Sequence, residues 1–130
     1  MVPFHLRTIQ GLEAQLLGCS YYPNLLHPSA SGRGSVHLDY LLEARRLNVV
    51  EHIDDDPDGP LIFTIKPYAS RWTTELIADS EYAVLRTEDG RRFSSVNWKT
   101  HDGVVMRVEP TDMVAGIDEA LLVSVLDSLR

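Results

Sequence analysis

Asp54, Asp56 and Asp58 stand two residues apart and run into Gly59, the way a loop presents alternating carboxylates to a hard cation such as calcium. The glycine lets such a loop turn sharply. The rest of the segment does not continue that chemistry: Ile65 stands where the loop would carry its bidentate glutamate, and Pro57 and Pro60 stiffen the backbone. The run from Asp54 to Pro60 is therefore read as a solvated acidic turn, with calcium at Asp54, Asp56 and Asp58 as the alternative. No metal or other cofactor is expected.

Ser31-Gly32-Arg33-Gly34-Ser35 offers backbone N–H groups and one guanidinium to an anion. It lacks the lysine of a phosphate loop and the third glycine of a dinucleotide fingerprint, so it reads as a connector ending in a helix cap. Histidines at 5, 27, 37, 52 and 101 supply imidazoles that titrate near neutrality and ligate zinc, but their spacings fit no zinc pattern. His37 with Asp39, and His52 with Asp54, meet only if those segments are strands, because residues two apart on a helix diverge. Cys19 with His27 is the remaining pairing of nucleophile and base. Nothing in the spacing joins them, and a solitary cysteine is ordinarily a small buried side chain. No catalytic residue is assigned.

The bulk properties narrow the function classes. Twelve Lys and Arg against nineteen Asp and Glu leave a net charge of -7 over 130 residues, with neither half of the chain basic. Phosphate-backbone binding draws on clustered cations, so nucleic acid and anionic membrane are disfavoured as main partners. Cys19 is the only cysteine, which fits a reducing compartment, and a cytoplasmic location is expected. Leu16-Leu17-Gly18-Cys19 has the form of a lipid-attachment box, but Gln10, Glu13 and Gln15 break the apolar segment that must precede one. No apolar run is long enough to span a bilayer.

The elements that must position these residues read as one soluble α+β domain over 1–130. Leu6, Ile9, Leu12 and Leu16 recur at helical spacing and predict a helix over 3–17, closed by Gly18. Residues 20–35, rich in Pro, Gly and Ser, predict an irregular stretch. Leu38, Leu41 and Leu42 predict a second helix over 35–47, capped by Ser35. Val49 and Val50 then turn to strand character and pair through the acidic turn with a strand over 61–66. Segments 73–78, 82–87, 92–98 and 104–109 continue as strands, with Asp89-Gly90 and Asp102-Gly103 as turn signals. Ile117, Leu121, Val125 and Leu129 predict a closing helix over 117–129 that packs on the sheet. The expected fold is thus two N-terminal helices, an antiparallel meander of about four to six strands, and a C-terminal helix.

Tyr40-Leu41-Leu42-Glu43-Ala44-Arg45-Arg46-Leu47, followed by Val49-Val50-Glu51 and Asp56-Pro57-Asp58-Gly59, resembles the winged-helix layout of recognition helix and wing. That likeness implies DNA contacts at Arg33, Ser35, His37, Arg45 and Arg46, although four aspartates at the wing would repel a duplex. The reading therefore favours a non-enzymatic protein-binding or regulatory domain, of the small acidic inhibitor, immunity or adaptor kind. Its expected partner is another protein with a basic surface. Tyr21, Tyr22 and Arg33 beside the irregular stretch, and Asp54, Asp55, Asp56 and Asp58 in the acidic turn, are its candidate contacts. A winged-helix nucleic-acid binder is the alternative, and a small enzyme using Cys19 or a histidine comes third.

Overall fold

Val36, Leu38, Tyr40 and Leu42 recur at period two, and each is buried. Side chains on a strand alternate between its faces, so this spacing sinks one face of a strand into a core and cannot serve a helix. In a computed structural model, which describes residues 8–9, 13–22, 32–54, 72–100 and 104–129, these residues belong to β2, Gly32–Leu42. The expected helix over 35–47 is absent. The expected helix over 3–17 is corrected at its C-terminal end, where Ala14–Tyr22 forms strand β1, and residues 3–7 and 10–12 lie outside the described residues. The remaining elements among the described residues are β3 Arg45–Asp54, β4 Thr73–Ile77, β5 Ser80–Arg86, β6 Phe93–Lys99, β7 Val104–Pro110 and helix α1 Glu119–Ser128.

The seven strands make one antiparallel sheet in the order β1-β2-β3-β7-β6-β5-β4. Two meanders, β1 to β3 and β4 to β7, are joined where β3 lies beside β7. β3 therefore has β2 and β7 as its neighbours, in place of the expected strand over 61–66, which lies outside the described residues.

Two hairpins turn without a glycine. Glu43 and Ala44 between β2 and β3 have φ of 51° and 61°, and Ala78 and Asp79 between β4 and β5 have 49° and 68°. Two positive φ values are what a tight hairpin turn demands, and a residue with a Cβ adopts them at a cost of about 1–2 kcal/mol. Ala44→Gly removes that cost but loosens the unfolded chain, for a net gain of about 0.5–1 kcal/mol. Urea unfolding should show a higher midpoint with an unchanged slope. By contrast, Gly90 takes a φ of 74° in the signalled Asp89-Gly90 turn. There Asp89 Oδ1 accepts bonds from the Thr87 hydroxyl and the Arg91 N–H, which hold its carboxyl below the usual range.

Register assigns the two faces. Leu38, Val49, Val108, Val96 and Val84 lie side by side across five strands, and Leu121, Leu122, Val125, Leu126 and Leu129 join them in one core. α1 covers this face. Each buried aliphatic side chain contributes about 1.5–3 kcal/mol. Asp118 caps the helix by accepting the Leu121 N–H at 2.8 Å. Just before it, Ile117 and Phe93 exchange backbone bonds of 2.9 Å, and the Arg45 guanidinium donates to the Gly116 carbonyl. The start of the helix is thereby tied to both meanders.

β4, at one edge of the sheet, is short and carries an ion pair. Glu75 accepts from Arg86 Nη2 at 2.6 Å and Nε at 2.8 Å, a bidentate arrangement that lowers its pKa below the usual 4.5. A carboxyl whose folded pKa is depressed stabilises the protein above its unfolded pKa and loses that contribution as pH falls through the folded value. Both partners are partly exposed, so Glu75→Gln should cost no more than about 1 kcal/mol at pH 7. The gap between variant and parent in urea unfolding should close as pH drops below about 4.

Candidate functional site

β1 forms the other edge of the sheet, and its sequence AQLLGCSYY contains no charged residue over nine positions. Leu16 is 51% exposed, Leu17 39% and Tyr21 39%, and Cys19 is also exposed. The register slips between Leu16 and Gly18, so Leu17 is the extra residue of a bulge. This slip explains the helical misreading: it sets Leu16 and Leu17 together and breaks the period-two pattern that would have marked a strand. The thiol expected to be buried at a helix end instead lies on an exposed strand.

The strands gather several of the expected contacts. Tyr21 and Tyr22 at the end of β1 pair with Val36 and Ser35, and Gly32, next to Arg33, pairs with Asp54. The backbone thus brings Tyr21, Tyr22, Arg33 and Asp54 to one end of the first meander. Asp55, Asp56 and Asp58 lie outside the described residues, and so does the calcium alternative that needs them. Among the described residues no group of three His, Cys, Asp or Glu side chains is placed to hold a metal ion.

The winged-helix set is dispersed. Ser35 and His37 lie near the start of β2, whereas Arg45 and Arg46 follow its far end, seven positions along from Ser35 to Leu42, or roughly 24 Å at strand rise. Arg45 is engaged with Gly116, and Arg46 accepts the Thr111 N–H on its carbonyl. The segment 40–47, on which the likeness rests, is the hairpin of β2, the Glu43–Ala44 turn and β3 in place of a recognition helix.

The face opposite α1 is polar, and no local pattern announced it. His37, Val50, Arg107, Asn97, Ala83 and Thr74 line up across six strands, flanked by a row of Ser35, His52, Val105 and Lys99. Ser35 Oγ lies 3.2 Å from His37 Nε2, and Arg107 Nε donates to Asn97 Oδ1 at 2.8 Å. Arg107 also lies 5.9 Å from the Trp72 ring. His37 is held below its ordinary pKa of 6.5 by burial and then by Arg107, with Asp39 opposing. Burial likewise lowers Arg107. Cys19, paired with Leu38, occupies the opposite face from His37, and His27, its expected partner, lies outside the described residues.

No family model, curated protein or solved structure matches the chain. No helix among the described residues is long and apolar enough to cross a membrane. On the helix-covered face, Glu51 is wholly buried between Val36 and Met106 in register. It adds to the effect of burial in holding the Tyr40 phenol above its usual pKa, while the bond accepted from the Ile9 N–H opposes it. Sequence reasoning passed over Glu51, because an acidic residue between valine and histidine reads as solvent-facing.

Proposed function

We propose that the protein is a non-enzymatic binding or regulatory domain that holds another protein along the outer edge of β1. The observation that carries this reading is a nine-residue edge strand without a charge, bearing exposed Leu16, Leu17 and Tyr21. An edge presents unpaired backbone donors and acceptors, and natural sheets usually blunt it with charge, proline or brevity. β4 has only five residues and keeps the Glu75–Arg86 pair. Among the described residues β1 has only its bulge. A strand added there gains main-chain hydrogen bonds, while the apolar side chains supply anchors.

The expected occupant is an extended segment of a protein with a basic surface, since a net charge of -7 steers such a partner. Tyr21, Tyr22, Arg33 and Asp54, together at one end of the meander, would extend the contact. The test is co-purification of the tagged chain from its native cell, followed by mass spectrometry. One stoichiometric, basic protein is expected, and it should be lost when Leu16 and Leu17 are both replaced by lysine. Retention of the same partner by that variant would remove the edge from consideration. Recovery of the chain with no stoichiometric protein would remove the whole reading.

A further inference from the structure

A sheet face that carries His, Arg, Lys, Asn and Ser side chains ordinarily faces water. Here Ser35, His52, Ser95 and Asn97 are 3%, 6%, 1% and 0% exposed, so polar groups are withdrawn from solvent. Withdrawing them is costly unless each finds a partner. Ser95 Oγ and Asn97 Nδ2 are buried without a hydrogen-bond partner among the described residues. Both are donors, and the Asn97 amide oxygen is already taken by Arg107. Beside them stands a guanidinium that burial has partly stripped of water. Half-buried His37, Lys99 and Arg107 share this face with half-buried Asp39 and Glu109, and Arg107 lies 5.9 Å from the Trp72 ring.

We infer that this polar face binds the oxyanion of a small molecule, a carboxylate or a phosphate, with Arg107 as its charge contact and Asn97 Nδ2 and Ser95 Oγ as its donors. The chemistry follows from the residue types. A guanidinium presents a planar fork of donors to an oxyanion, and a low-dielectric surround strengthens each bond it makes. Amide and hydroxyl donors kept free by the fold lose nothing when a ligand takes them, whereas donors already paired would have to exchange partners. The site is independent of β1, and its failure would leave the proposed protein-binding edge untouched.

Inorganic phosphate, sulfate and acetate, each balanced with sodium chloride to constant ionic strength, test it on the full chain. The readouts are tryptophan fluorescence, because Trp72 lies beside Arg107, and the unfolding temperature. At least one anion should give a saturable change with a matching rise in unfolding temperature, and the arm that saturates at the lowest concentration identifies the class. Ser95→Ala separates binding from folding. Deleting a hydroxyl without a partner should leave the ligand-free unfolding temperature unchanged or raised, while weakening the anion about tenfold. Arg107→Gln should abolish saturation. Responses that do not saturate in any arm, or that are equal in the parent and in Ser95→Ala, overturn the inference.

Discussion

Lysine at both Leu16 and Leu17 is expected to weaken partner binding about a hundredfold, roughly 2.7 kcal/mol, while leaving the protein folded. Both leucines are well exposed, so each exchange should shift folding stability by no more than about 0.5 kcal/mol. Binding has more to lose. The two anchors vanish, two ammonium groups must shed water as a strand docks, and a basic partner meets like charge. Leu76→Lys on β4 is the control: Leu76 is 74% exposed but lies at the other edge, and its exchange should leave affinity unchanged. Titration calorimetry with the co-purified partner, alongside urea unfolding of each variant, measures both quantities. Equal affinity in the double variant and the parent would place the contact elsewhere.

Gly116→Ala is expected to be among the most damaging single-methyl additions to this fold, costing about 2–4 kcal/mol. Gly116 has a φ of 65°, which an L side chain adopts only with strain. A Cβ there would meet Thr87 Cγ2 at 2.7 Å and the Phe93 carbonyl oxygen at 2.9 Å. The second contact is with backbone and cannot be relieved by a rotamer change. Phe93 and Ile117 exchange their ladder bonds beside this point, so relief would have to open the bridge that seats α1 on the sheet. Ala115→Ser, at the exposed neighbouring position, should be close to neutral in the same thermal unfolding experiment. A fully stable Gly116→Ala protein would mean that the segment before α1 has slack the packing does not indicate.

Local periodicity decides which elements of this chain are legible from neighbouring residues. Strands β4 to β7 and helix α1 were legible, because alternation in segments such as Val104-Val105-Met106-Arg107-Val108 and fourfold spacing from Ile117 to Leu129 are written in adjacent residues. β2 carried an equally plain alternation in Val36, Leu38, Tyr40 and Leu42. It was overridden by Leu41, whose place next to Leu42 suggested a helical stripe, and by a turn at Glu43-Ala44 with no glycine to mark it. β1 was obscured by its bulge. In each case a local irregularity imitated the period of the wrong element.

By itself the sequence determined an acidic chain with one thiol, several alternating strands, and an amphipathic helix at its end. These properties depend on composition and on neighbours in the chain. Only the tertiary structure decided that β3 lies against β7, that uncharged β1 forms an edge, and that His37, Arg107 and Asn97 share one buried face. Such alignments are settled by the pairing of segments remote in sequence. The core under α1 selects a register that buries Leu38, Val49 and Val108 together, and the polar residues of the opposite face are brought into line as its consequence.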